Sequence, residues 1–203
     1  MPASIDVYYD FRSPYAYVAW WRIRHGFLSA ATWRWRPVSI DVLLNLQAGR
    51  EPLAPYVDPL APPKRRHLLR DVRRSADFHG APLVPPHAPR PAPLPALCAA
   101  LRLEQDGLPC DGFIDAVFEA MWQRMSDIGA PDVLKRCLRQ AALDPALADQ
   151  ARSGALRDEL VARTQAAYAA GVFGVPTFVA NEEIFFGADR MDVLAWRLGL
   201  TTA

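Results

Sequence analysis

A short strand, a Ser-Pro pair and a helical run follow one another near the N-terminus, and this order constrains the fold most. Ile5, Val7 and Tyr9 alternate with more polar residues, which is the period of a half-buried strand. An apolar run with helical spacing extends from Tyr15 to Trp21. Ser13-Pro14 lies between them, and serine at the N-cap with proline at the first helical position is typical of a helix start. The sequence therefore predicts a strand that leads directly into a helix.

Ser13 would then be the first exposed side chain at the tip of that helix. The free N–H groups of the first turn and the positive end of the helix dipole stabilise anions, including a thiolate. On its own, however, Ser-Pro at a helix start is most often only a cap. The local pattern leaves both interpretations open.

The composition favours a globular protein without a polyanionic partner. The chain has 203 residues, of which 51% are hydrophobic, and a net charge of +1. This length suits one domain, or one domain with a large insertion, and the charge gives no indication of nucleic-acid binding. We find neither a secretory signal nor a stretch of about 20 apolar residues, so we expect a cytoplasmic protein without a membrane span.

The cysteines and histidines indicate no metal site and no disulfide framework. Cys98, Cys110 and Cys137 form no C-x-x-C pair, and no histidine lies at ligand spacing from them. All three cysteines lie in helical patterns, where a free cysteine is usually a small buried apolar residue.

The order of predicted elements is β-α-β, then a long helical stretch, then β-β-α. Thr32 to Pro37 is the second strand, residues 176–186 form a hairpin, and Asp189 is the expected N-cap of the last helix. We therefore expect an α/β sheet domain made of residues 1–37 and 172–203, with residues 38–171 inserted as a helical domain.

This layout resembles the DsbA-like group of thioredoxin-fold proteins. In that fold, the active group at the tip of the first helix faces a cis-proline, here Pro176 in the segment Gly171–Thr177. DsbA-like oxidoreductases carry two cysteines at the helix start, whereas this chain has Ser13 to Ala16 there, so dithiol–disulfide exchange is excluded at this site. The serine form, with Tyr9–Tyr15 and Phe186–Arg190, resembles the 2-hydroxychromene-2-carboxylate isomerases and the kappa-class glutathione transferases.

The resemblance implies a glutathione site. Ser13 would donate a hydrogen bond to the glutathione sulfur and lower the pKa of its thiol, and the backbone of Val175 would pair with the cysteinyl unit. The γ-glutamyl end would be held by four consecutive residues: Phe186, Gly187, Ala188 and Asp189. Asp189 suits the ammonium group, a role that is compatible with a helix cap.

The resemblance also implies an aromatic substrate and a reaction. The isomerases act on an aromatic pyruvate, whose carboxylate requires an arginine; Arg90 and, as a weaker candidate, Arg50 are the residues expected to supply it, although either can equally be a solvated loop arginine. Family residues on this side are replaced by Leu46, Ser75 and Ala92. We therefore expect a glutathione-dependent isomerase of an aromatic-catabolism intermediate, forming a homodimer as its relatives commonly do. The alternatives are a kappa-like glutathione transferase or peroxidase, and a thiol-peptide binding module without turnover.

Overall fold

A mixed four-stranded sheet lies at the centre of the fold. The computed structural model describes residues 3–58, 60–84 and 92–200. The strands run in the order β2-β1-β3-β4, with β1 parallel to β2 and antiparallel to β3, and β3 antiparallel to β4. Their bounds are β1 Ser4–Tyr9, β2 Thr32–Pro37, β3 Thr177–Ala180 and β4 Glu183–Phe186.

Helices surround this sheet, and most of them lie between β2 and β3 in the chain. They are α1 Pro14–Arg24, α2 Ile40–Gln47, α3 Pro62–Phe78, α4 Leu94–Gln105, α5 Asp111–Trp122, α6 Pro131–Gln140, α7 Leu147–Gln150, α8 Gly154–Ala169 and α9 Met191–Arg197. Within the three described ranges, none is both long and apolar enough to cross a bilayer. The predicted order of strands and helices is confirmed, except that the four-residue α7 was not predicted.

The hairpin between β3 and β4 forms as the sequence predicts. Its turn residues Asn181 and Glu182 have φ values of +49° and +65°. Positive φ at both central positions is the type I′ turn, whose twist matches that of the flanking strands. The short polar turn therefore aligns β4 on β3 and brings Gly187 back towards the beginning of β3.

An aromatic cluster fixes the end of β1. The ring of Tyr9 lies edge-on to Phe11 at 5.1 Å, and Phe11 lies edge-on to Phe118 of α5 at 5.0 Å. The indole N–H of Trp122, at the end of α5, donates to the Phe11 carbonyl over 2.8 Å. The chain that enters α1 is thus held by a helix that lies about 110 residues away in the sequence.

The structure corrects the prediction for the start of the last helix. Asp189 lies in the middle of a 3-10 turn, Ala188–Arg190, and the N-cap of α9 is Arg190, without a side-chain cap. The reason is that Gly187, at φ +106°, turns the chain one residue before the 3-10 turn, so α-helical geometry begins later than the sequence pattern indicates. The division into a sheet domain and an inserted helical domain, 38–171, stays a prediction.

Candidate active site

Ser13 is the N-cap of α1, as predicted. The φ and ψ of Ser13 are −80° and +116°, and Pro14 is at the first helical position. The Ser13 Oγ accepts the N–H of Ala16 over 3.2 Å. Ser13 is only 4% exposed, so the prediction of an exposed hydroxyl is wrong. The hydroxyl is buried because the segment before Pro176 packs against the helix tip.

The Ser13 hydroxyl reaches that segment directly. Its Oγ–H donates to the carbonyl oxygen of Val175 over 3.2 Å, and the Val175–Pro176 peptide bond is cis. The two residues are 162 positions apart in the chain. The Val175 N–H donates to none of the described residues. One backbone donor and one backbone acceptor therefore lie beside the tip of α1.

The segment that follows β4 is hydrogen-bonded to the cis-proline Pro176. Gly187 N–H donates to the Pro176 carbonyl over 2.9 Å, which brings Phe186 to Asp189 next to the cis-proline. A Cβ on Gly187 would lie 2.4 Å from the Asp189 Oδ1, and its φ of +106° also favours glycine. Asp189 is 72% exposed on its side chain and lies 3.3 Å from Arg190, while Phe186 is 43% exposed. The four residues predicted to bind the γ-glutamyl group therefore lie next to Pro176 and present one accessible carboxylate, that of Asp189. Their role in binding stays a prediction.

Asp10 is a buried carboxylate that the sequence reasoning missed. It is 0% exposed; its Oδ1 accepts the N–H of Arg12 over 2.8 Å, and its Oδ2 accepts the N–H of Ile40 over 2.9 Å. Burial raises its pKa to about 6, and the charge of Arg12 and the two N–H groups oppose that rise. An acidic residue directly between a buried strand and a helix cap was the available signal.

Arg12 does not point freely into the site. Its guanidinium forms an ion pair with Asp41 of α2 and lies 5.4 Å from the ring centre of Tyr56. A guanidinium held by a carboxylate and an aromatic face is poorly available to a substrate carboxylate. The arginine beside Ser13 therefore stabilises the turn.

A second contact fixes the first turn of α1 to α3. The Tyr15 hydroxyl donates to Asp71 Oδ2 over 2.8 Å. Burial raises the pKa of Tyr15, and the hydrogen bond to Asp71 and the negative charges of Asp71 and Asp189 add to this rise. The phenol is therefore protonated at neutral pH, and Tyr15 lies between the helix tip, α3 and the segment that contains Asp189.

Arg50, one of the two predicted substrate arginines, has no described contact with Ser13. Arg50 donates from its Nη2 to the Pro55 carbonyl over 2.8 Å, within its own loop. Arg90 lies outside the described residues. The roles of both arginines stay predictions.

The cysteines do not supply a reactive thiol to this site. Cys98 and Cys137 are buried and Cys110 is half-buried, and burial raises the pKa of each thiol to about 11. Within the described residues, no group of three histidine, cysteine or acidic side chains is arranged to bind a metal ion. A sulfur nucleophile at Ser13 would have to come from a bound molecule.

Comparison with known proteins identifies the fold family. The sequence matches the DSBA-like thioredoxin domain over residues 4–199. A solved structure of a 2-hydroxychromene-2-carboxylate isomerase superposes with a TM-score of 0.77 at 22% identity, covering 97% of this chain and 94% of that one. This likeness shows the fold.

Two curated relatives cover nearly the whole chain. The human glutathione S-transferase kappa 1 is 23% identical over 98% of this chain and 92% of its own length. The 2-hydroxychromene-2-carboxylate isomerase of Sphingobium xenophagum is 32% identical over 96% of this chain and 97% of its own length. The family match and the 32% identity to the isomerase show that the chain belongs to the 2-hydroxychromene-2-carboxylate isomerase family of DsbA-like thioredoxin-fold proteins and is an isomerase-like enzyme.

Proposed function

We propose that this protein is a glutathione-dependent isomerase that interconverts 2-hydroxychromene-2-carboxylate and trans-o-hydroxybenzylidenepyruvate, or a close analogue from aromatic catabolism. The observation that carries the proposal is the hydrogen bond between the Ser13 hydroxyl and the carbonyl before Pro176, at the N-terminus of a helix. The 32% identity to a named isomerase of this family supports the reaction class. The proposal includes a cytoplasmic location, where thiols stay reduced, and a homodimer.

The residues present fit a glutathione backbone. An extended peptide can pair with the N–H and C=O of Val175 by strand addition. The exposed carboxylate of Asp189 suits the γ-glutamyl ammonium group, and the segment from Phe186 to Ala188 lies beside it. Bound glutathione supplies a thiolate that can add to the conjugated side chain of the substrate and leave again, so that a double bond is temporarily single and can rotate.

Ser13 has one hydroxyl hydrogen, and in this structure Val175 accepts it. A peptide N–H that binds the Val175 carbonyl can replace Ser13 as its donor. The Ser13 hydrogen is then available to a sulfur atom above the helix tip, while Oγ keeps the N–H of Ala16. Peptide binding and thiolate stabilisation are therefore coupled through a single exchange of hydrogen bonds.

The tip of α1 strengthens the hydrogen bond from the Ser13 hydroxyl to a thiolate. Ser13 is buried, and a hydrogen bond to a charged acceptor contributes about 1.5–3 kcal/mol, more than one between neutral groups. The N-terminus of α1 adds the favourable end of the helix dipole. Loss of the hydroxyl should raise the pKa of bound glutathione by about 1–2 units.

The second substrate requires a cation for its carboxylate. Arg12 is paired with Asp41, so Arg90 and Arg50 remain the proposed donors.

A kappa-like glutathione transferase or peroxidase is the second candidate, and the relationship to the human kappa transferase favours it. The same thiolate would then attack an electrophile and be consumed. A binding module without turnover is the third candidate.

Titration with glutathione tests the proposal. The ultraviolet absorbance of the thiolate is followed against pH for the wild type, for Ser13→Ala and for Ser153→Ala, which removes a comparable N-cap serine from α8. We expect the wild type and Ser153→Ala to form thiolate at neutral pH and Ser13→Ala to require a higher pH. Equal titration of all three would refute the role of Ser13.

Two substrates then separate the candidate functions. Isomerisation of an o-hydroxybenzylidenepyruvate with no loss of glutathione supports the isomerase. Conjugation of a chloronitrobenzene, without isomerisation, supports the transferase. Binding of glutathione with neither reaction leaves the binding module.

A further inference from the structure

Asp10 connects the two turns that lie at the ends of the parallel strands. Its backbone carbonyl accepts the N–H of Ser13 over 3.0 Å, and its carboxylate accepts the N–H of Arg12. The other carboxylate oxygen accepts the N–H of Ile40, the first residue of α2. A single buried side chain thus holds the turn that carries Ser13 against the start of another helix.

We propose that Asp10 is a positioning residue for Ser13, and that only its ionised form holds the helix tip in the arrangement that binds glutathione. This inference rests on the proposed function and adds a determinant that lies outside the direct contacts with glutathione. Asp10 acts through the turn, because both of its carboxylate oxygens are used by backbone N–H groups.

The ionised form is the one that can make both bonds. A carboxylate accepts at two oxygens, whereas a protonated carboxyl group has one carbonyl oxygen and one hydroxyl that donates. Protonation therefore removes the strong acceptor from either Arg12 or Ile40. Loss of either hydrogen bond loosens the attachment of the turn that carries Ser13 to the start of α2.

The charged and titratable groups that face Asp10 are Arg12 in its own turn, Asp41 of α2 and Tyr9 of β1. Burial and the charge of Asp41 raise the pKa of Asp10, while Arg12 and the two N–H groups lower it, which leaves it at about 6. Since the carboxylate is ionised above this value, the two turns are held together at pH 7 and released as the pH falls to 5.

S-Methylglutathione is the probe that isolates this effect. Its sulfur does not titrate, so calorimetric binding between pH 5 and 7.5 reports groups of the protein. If the protonated form does not bind, a pKa of about 6 predicts a loss of about tenfold in affinity at pH 5. We expect this loss in the wild type and a smaller loss in Asp41→Asn, because that variant removes a charge that raises the pKa of Asp10.

Two variants test the carboxylate itself. Asp10→Asn should bind more weakly at pH 7.5 and change less than about twofold down to pH 5, because no proton is exchanged. Ile40→Pro removes one N–H donor at a first helical position, where proline is well accepted. Because that N–H lowers the pKa of Asp10, the pH midpoint of binding should move upward in this variant. Ile40→Pro keeps the proposal testable if Asp10→Asn does not fold.

The outcomes distinguish this inference from the proposed function. Equal affinity of the wild type at pH 5 and 7.5, or an unshifted midpoint in Ile40→Pro, overturns the role of Asp10 alone. A tenfold loss that persists in Asp10→Asn also overturns it, since another group must then titrate. Absence of S-methylglutathione binding to the wild type at every pH overturns both proposals.

Discussion

Replacement of Ser13 by alanine should destabilise the folded protein more than the loss of a helix cap explains. The hydroxyl accepts the N–H of Ala16 and donates to the carbonyl of Val175. Loss of an N-cap serine costs about 1 kcal/mol. A buried carbonyl that loses its donor costs a further 1–3 kcal/mol, roughly, and Val175 is a buried residue. We therefore expect the free energy of unfolding to fall by about 2–4 kcal/mol in Ser13→Ala.

Ser153→Ala provides the matched control. Ser153 caps α8 in the same way, with Oγ accepting the N–H of Leu156 over 3.3 Å, but it is exposed and donates to no described residue. Its loss should cost only about 1 kcal/mol. Urea denaturation followed by circular dichroism measures both values, with an unchanged m-value as the sign that the unfolding transition is comparable.

The difference between the two variants isolates the contact with Val175. At about 2–4 °C per kcal/mol for a chain of this size, Ser13→Ala should lower Tm by roughly 4–16 °C and Ser153→Ala by roughly 2–4 °C. If the two variants lose the same stability within about 0.5 kcal/mol, the bond to Val175 contributes nothing, and the coupling of peptide binding to Ser13 loses its basis.

Three further predictions concern buried polar groups. Tyr9→Phe should raise the free energy of unfolding by about 1 kcal/mol, because the buried Tyr9 hydroxyl has no hydrogen-bond partner among the described residues. Tyr17→Phe should lower the free energy of unfolding by about 1–2 kcal/mol, because the Tyr17 hydroxyl donates to the Pro82 carbonyl. A loss of stability in Tyr9→Phe would show that its hydroxyl is satisfied. Cys98 and Cys137 should resist iodoacetamide in the native protein at pH 8 and react in urea, because burial raises the pKa of both thiols to about 11. Mass spectrometry counts the added groups, and rapid alkylation of the native protein would contradict the prediction.

The elements around Ser13 were predictable because their signals are local. The alternation in β1, the Ser-Pro cap and the polar turn of the hairpin are each contained in a few residues. The hydrogen bond between Ser13 and Val175 joins residues 162 positions apart and was not predicted. The resemblance to a known fold predicted only that the tip of the first helix faces Pro176.

The role of Asp10 depends on contacts that no local pattern encodes. Its partner Ile40 is 30 residues away, and the Tyr15–Asp71 bond joins residues 56 apart. The four residues of α7 are too few to show a helical period, so that helix was missed. Asp189 has a side chain that is typical of an N-cap, but the turn at Gly187 moves the N-cap of α9 one residue further on, to Arg190.

Three helices between β2 and β3 in the chain hold residues that lie next to Ser13. Trp122 holds the carbonyl of Phe11, Ile40 holds the carboxylate of Asp10, and Asp71 holds the hydroxyl of Tyr15. These three contacts come from α5, α2 and α3, and they fix residues that lie within three positions of Ser13. A substitution in these helices can therefore change the geometry of the Ser13 hydroxyl and, under the proposed function, the stabilisation of a thiolate by that hydroxyl. Under the proposed function, differences among relatives in this region should accordingly affect the pKa of bound glutathione.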